Sequence, residues 1–220
     1  MGSLCESLEK YFSVKRLETY KNIAKQKNLS EEIVPELYKF NILICEELYA
    51  FISCIEICLR NTIHSKMSLV FNKESWFNYF DWEEKHSKQL AEAKIKASKI
   101  KKVADVNDII SSISFGFWCH IFDACYESSL WVKGLNKIFP GYVGKPNRKH
   151  IAVAFNSLLL LRNRIAHFEP IIKDEYKLLK YYNQMAEVMN WMCPDIFVWF
   201  KNFNKFEVLY KKLQNNDFLQ

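Results

Sequence analysis

From Ile33 to Ile63 apolar side chains recur at helical spacing, through Leu37, Ile44, Leu48, Phe51, Ile55 and Leu59. The run has no glycine, and its one proline, Pro35, lies near its start. A strand alternates with period two and ends within about ten residues. A pattern this long is therefore helical. Ser30, followed by Glu31 and Glu32, opens the element, and Pro35 falls in the first turn, where its missing N–H costs least. The pattern predicts helix to about Val70, long enough that a bend or break is expected.

The same period governs most of the chain. Ser13 reads as the N-cap of a helix over about 14–27. Trp76 to Trp82 reads as a short aromatic connector, and 83–102 as polar and lysine-rich. Helices are predicted over 105–124, over about 126–138 and over about 148–168, the last stopped by Pro170. Two or three more follow. Gly134, Pro140, Gly141, Gly144 and Pro146 are half of the chain's five glycines and five prolines, and mark 134–146 as the one clear loop. Turn residues are too scarce elsewhere for a sandwich or barrel. The expected fold is all-α in a single domain over 1–220. Its core spans about 10–175, and a helical extension runs from about 176 to 220.

Half of the 220 residues are apolar and 15% are aromatic, which supplies a large core and argues against disorder. No apolar run approaches the ~20 residues that span a bilayer. Trp191 to Phe200 is short and carries Pro194 and Asp195. No charged-then-apolar leader is visible, and Glu6 stands where a myristoylation signal after Gly2 needs Ser or Thr. The seven scattered cysteines suit a reducing compartment, so the protein is expected to be soluble and cytoplasmic. Cys54 and Cys58 stand i,i+4 like half a metal site, but no second pair at ligand spacing completes it, and no metal or other cofactor is expected.

The net charge of +6 permits an anionic partner and comes mostly from lysine, since only Arg16, Arg60, Arg148, Arg162 and Arg164 are arginines. Two of the five close the sharpest feature, Leu161-Arg162-Asn163-Arg164-Ile165-Ala166-His167, which abruptly ends the apolar Leu158-Leu159-Leu160. Asn163 and His167 share a helix face, and the long side chain of Arg162 can bend toward it. The set suits phosphate chemistry. Arginine grips a phosphate with paired N–H bonds, and histidine exchanges a proton near neutral pH. Asparagine can orient either. The alternative is a helix C-terminus with cations favoured by the dipole and a buried histidine.

Glu56-Ile57-Cys58-Leu59-Arg60-Asn61 repeats the Leu-Arg-Asn triplet. Glu56 and Arg60 stand i,i+4, acid first, either as a structural ion pair or as support for the arginine–histidine segment. Lys85, Lys88, Lys94, Lys96, Lys99, Lys101 and Lys102 face only Glu92 among acids of 85–102. They form either a nucleic-acid contact or a solvated helix face.

The R-x4-H of Arg162 to His167, with a polar residue straight after the arginine, resembles the signature of the HEPN ribonucleases. The wider chain resembles the abortive-infection (Abi)-like branch of that superfamily, from bacterial phage defence. The likeness rests on Ser13-Val14-Lys15-Arg16-Leu17, a Tyr–Asn-containing helix, Glu56 to Asn61, Trp76-Phe77, Ser114 to Trp118, Leu130-Trp131, Phe139-Pro140 and Leu161 to Pro170. It covers about residues 10–175. The resemblance implies a HEPN-type helical bundle with additional helices. It also implies a homodimer in which two R-x4-H motifs form one composite, metal-independent site for RNA cleavage. Arg162, Asn163 and His167 would then be catalytic, and Glu56, Arg60, Asn61 and Glu169 supporting. Arg164, Lys94, Lys96, Lys99, Lys101 and Lys102 would touch RNA. Relatives encoded beside a structured small RNA imply an alternative, a non-catalytic protein bound to a regulatory noncoding RNA. An antitoxin is a further possible partner, and a scaffold role is a third reading.

Overall fold

The computed structural model describes residues 4–101 and 103–217, and is all-α, with no strand among the described residues. The helices are α1 (Leu4–Phe12), α2 (Val14–Gln26), α3 (Val34–Phe71), α4 (Glu84–Ile100), α5 (Val106–Ser112), α6 (Phe115–His120), α7 (Arg148–Ala166), α8 (Glu175–Met192), α9 (Pro194–Lys201) and α10 (Phe206–Asn215). Lys102 lies outside the described residues. No described helix is long and apolar enough to cross a membrane.

The chain packs as two compact units, each assembled from segments far apart in sequence. The first takes the described residues of Met1–Ile52, Leu161–Asn183 and Phe200–Gln220; the second takes Ser53–Leu160 and Gln184–Trp199. Residues 176–220 therefore contribute to both. The apolar period of α3 is unbroken over 38 residues, so the expected break is not made.

In the first unit, Ser13 caps α2, its hydroxyl accepting the Arg16 N–H at 3.4 Å. Leu17, Tyr20, Ile23 and Ala24 form the buried stripe of that helix. Leu37, Phe40, Ile44, Leu48 and Phe51 of α3 are buried in the same unit. Phe51 stacks on Phe200 at 4.5 Å, and Tyr182 on Phe206 at 4.2 Å. The Glu47 carboxylate receives the Asn204 amide at 2.9 Å and the Lys205 backbone N–H at 2.8 Å, which holds the start of α10.

The second unit has an aromatic core that includes Trp76, Phe77, Phe117, Trp118, Phe122 and Phe155. Helix α4 buries His86, Leu90, Ala93 and Ala97 along one face and packs on α5. The helix predicted over 105–124 is instead two short ones. Asp105 and Asp108 form a reciprocal capping box at the start of α5. Ser114 then interrupts the pattern, its hydroxyl accepting the Phe117 N–H at 3.3 Å to start α6. The helix predicted over 126–138 is also replaced. A 3₁₀ turn at Ala124–Tyr126 leads into a π turn at Glu127–Trp131 and a 3₁₀ turn at Leu135–Lys137. Tyr126, Leu130 and Trp131 are buried, while Glu127 and Ser128 face solvent. Gly141 is required by close approach: its N–H donates to the Trp191 carbonyl at 3.0 Å, and a Cβ would sit 2.0 Å from the Asn190 carbonyl oxygen.

Cys58 does not extend a metal half-site with Cys54. Its thiol shares a hydrogen bond with Cys193, which raises Cys58 and brings Cys193 down to about 7. Among the described residues no group of three or more His, Cys, Asp or Glu side chains is placed to hold a metal ion.

His86 is a buried histidine of this unit. The Tyr126 hydroxyl accepts the Glu83 N–H at 3.2 Å and pairs with His86 Nδ1 at 2.6 Å. Burial, with the nearby charges of His120 and Lys85, lowers the imidazole's proton affinity against the opposing pull of Asp123. The unfolded chain, with an ordinary pKa of about 6.5, therefore binds the proton more readily. Stability contributed by neutral His86 is present above that value and is lost as pH falls below it. Thermal unfolding should show a melting temperature falling from pH 7 to pH 5. His86→Gln should flatten that slope, and an equal slope in the variant would refute the assignment.

Candidate active site at the end of helix α7

All of the site described here lies in the first unit. Helix α7 ends in a Schellman turn. The Phe168 N–H donates to the Ile165 carbonyl at 3.0 Å, and the Glu169 N–H to the Arg164 carbonyl at 2.9 Å. This makes His167 the C-cap and Phe168 the residue in left-handed conformation, at φ 57°. Glycine is the usual occupant there, and another residue costs roughly 1 kcal/mol. The helix thus ends four residues before Pro170, which follows the turn instead of causing it.

Three contacts stabilise the turn. The Arg164 guanidinium closes on the Glu169 carboxylate at 2.9 Å, spanning the ends of the 6→1 bond. Burial opposes that charge, but the bonds to Glu169 and Tyr181 outweigh it and hold Arg164 above its ordinary proton affinity. Arg16 reaches in from α2 and donates to the Phe168 carbonyl at 2.9 Å. Behind the turn lies Asn41 of α3, only 5% exposed. Its amide oxygen accepts the N–H groups of Ile171 at 2.8 Å and Ile172 at 3.3 Å, and its Nδ2 donates to the Glu169 carbonyl at 3.5 Å.

The turn presents His167 to solvent, so it is not the buried core histidine of the alternative reading. It lines a cavity of about 320 Å³ with Ser13, Lys15, Arg16 and Thr19 on one side and Phe168, Glu169 and Pro170 on the other. Two cations, two hydroxyls and an imidazole suit a phosphate. Arg164 faces elsewhere, into a cavity of about 660 Å³ that it lines with Gln26, Lys27, Lys173 and Lys177. Ile165 and Ala166 join Phe12, Tyr38, Ile42 and Tyr49 along an apolar groove of about 550 Å³. Arg162 and Asn163 are half-buried and do not line the cavity of His167. At 100° per residue Arg162 sits roughly 140° around the helix from His167. Glu169 belongs to the cavity but directs its carboxylate at Arg164.

Lys15, Arg16 and Asn41 were not identified as site residues from sequence. A signal existed for two of them: α2 has no acid in its first turn and places Lys15 and Arg16 there, against the helix dipole. Glu56, Arg60 and Asn61 fall in the second unit, where Arg60 Nε donates to Asn61 Oδ1 at 3.3 Å. Lys94, Lys96 and Lys99 are exposed on α4, while Lys101 is bound to Asp108 at 2.7 Å.

No family model matches the chain, and no solved structure matches it. A mouse (Mus musculus) protein named dihydroxyacetone phosphate acyltransferase is 31% identical over 74 residues, which is 34% of this chain. The chain spans only 10% of the length of that curated relative.

Asn41→Leu should cost about 2–4 kcal/mol, because it leaves two buried N–H groups without an acceptor. Denaturant unfolding measures this directly. A loss below about 0.5 kcal/mol, the level of an ordinary surface substitution, would show that the amide does not hold the turn.

Proposed function

We propose that the protein is a metal-independent endoribonuclease of HEPN type that acts in bacterial abortive-infection defence. The carrying observation is His167, exposed at the rim of a cavity walled by Lys15 and Arg16. In the proposed reaction the ribose 2′-OH attacks the adjacent phosphorus and the bond to the 5′ oxygen breaks. The products are a 2′,3′-cyclic phosphate and a 5′-OH. One histidine takes the 2′-OH proton and another supplies the proton to the leaving oxygen. Arg162 neutralises charge developing on the phosphoryl oxygens, and Asn163 orients the phosphate or the imidazole.

The angular separation of Arg162 from His167 favours a composite site. One chain does not aim both groups at one point, whereas a second copy brings its own arginine to the histidine of the first. The apolar groove beside the motif, with Ile42, Tyr49 and Phe12 partly exposed, offers the contact area for such a homodimer. A second reading, a non-catalytic complex with a structured noncoding RNA, is favoured by the exposed lysines of α4.

Incubated with mixed RNA in EDTA, the wild type should produce 2′,3′-cyclic phosphate ends. His167→Ala should reduce that at least about a hundredfold while its circular dichroism is unchanged. Equal cleavage by the variant would overturn the role of His167. If neither protein cuts, while both bind RNA with an affinity that falls steeply with salt, the second reading replaces the first. In the dimer arm, Ile42→Glu should sediment as a monomer and lose cleavage. A fully active monomer would exclude the composite site.

A further inference from the structure

Phe168 has no packing reason to be where it is. The residue is 71% exposed, and its backbone occupies the left-handed position that favours glycine. A buried phenylalanine would repay backbone strain by leaving water; this one does not. The surrounding structure nevertheless holds it firmly, through the Schellman turn, the Arg164–Glu169 pair and the Arg16 bond to its own carbonyl. Backbone strain maintained by several contacts around an exposed aromatic ring points to use by a ligand.

The neighbours specify the ligand. Phe168 follows His167 directly and lines the same cavity as Lys15 and Arg16. On its other side it borders the apolar groove with Phe12 and Ile42. The ring thus lies between a cationic, hydroxyl-bearing wall and an apolar one. A nucleotide has that polarity, with a phosphate at one end and a flat base at the other. Bases stack on exposed aromatic rings whatever their identity, provided that they are not already paired in a duplex.

Building on the ribonuclease reading, we propose that Phe168 is the platform on which the base next to the scissile phosphate stacks. Lys15 and Arg16 take the phosphate that follows. The substrate class is therefore RNA that is unpaired at the cleavage point, cut with little regard to base identity. Phe168 acts in binding and alignment, and the proton transfers stay with His167.

The test uses a short single-stranded RNA carrying 2-aminopurine, whose fluorescence is quenched on stacking, scanned along the sequence. Wild type, Phe168→Leu and Phe168→Trp are compared in EDTA. Wild type should quench the probe at one position. Phe168→Leu should lose most of that quenching and raise KM about tenfold with a smaller change in kcat. Phe168→Trp should restore both, and annealing the complementary strand should abolish both. Phe168→Gly, which removes the ring and the backbone strain together, should match Phe168→Leu in binding while melting no lower than wild type. Wild-type behaviour of Phe168→Leu, absence of quenching by wild type, or equal cutting of the duplex would each overturn the proposal. So would a change in the sedimentation of Phe168→Leu, which would place the ring in subunit contact. Quenching does not depend on turnover, so a protein that stacks the probe but cuts nothing would refute the catalytic reading and leave the platform standing.

Discussion

The candidate site depends on one buried amide. Asn41 is surrounded by apolar residues of α3, and an unpaired amide there would be costly. It is paired instead with the backbone of a segment about 130 residues later, at Ile171, Ile172 and the Glu169 carbonyl. The chain leaving α7 has broken its helical hydrogen bonds and has no sheet to join, so its N–H groups need acceptors from elsewhere. Asn41 supplies one that is rigid, because it sits on a long helix whose Leu37, Ile44 and Leu48 are fully buried. The exposed side of the turn can then carry polar groups without being stabilised by its own packing.

With the back of the turn held, its front is shaped by charge. Arg16 and Arg164 both use part of their guanidinium on the turn itself, one on the Phe168 carbonyl and one on the Glu169 carboxylate. Because Glu169 is engaged by Arg164, its carboxylate partly neutralises Arg164 more than it does Lys15 or Arg16. The wall beside His167 therefore keeps its positive character. The helical repeat separates the motif into directions: His167 and Phe168 toward one cavity, Arg164 toward another, Ile165 and Ala166 toward the apolar groove.

What was legible in the sequence was local. The hydroxyl of Ser13, the unbroken apolar period of α3 and the cluster of Gly and Pro at 134–146 each act within a few residues, and the elements they predict are present. The errors in 105–138 arose where two local signals compete. Apolar spacing continued through Ser114, but its hydroxyl bonds the backbone three residues on and restarts the helix. From Tyr126 to Trp131 the buried side chains, Tyr126, Leu130 and Trp131, still fall at helical spacing, so the change to a wider turn left no mark in the apolar period. The site followed the same division. Arg162, Asn163 and His167 stand together in sequence and were visible, whereas Asn41, Lys15 and Arg16 join them only through tertiary contacts across more than a hundred residues.

The lysines of α4 show the same limit from the other side. Their run in sequence resembles one basic strip, but a helix distributes consecutive positions around its axis. With His86, Leu90, Ala93 and Ala97 taking the buried face, the remaining positions are exposed by default, so the charges need no ligand to explain them. Lys101 is drawn off by Asp108 at the helix end. Exposed cations of this kind add a diffuse attraction for polyanions that salt screens readily. The cavity at His167 differs in that two cations stand beside an imidazole against an aromatic ring, on backbone fixed by a buried amide. A diffuse field can concentrate RNA near the protein, but only a fixed constellation can hold one phosphate in register with a proton donor. For that reason the proposed function is assigned to the end of α7, although most of the basic charge lies elsewhere.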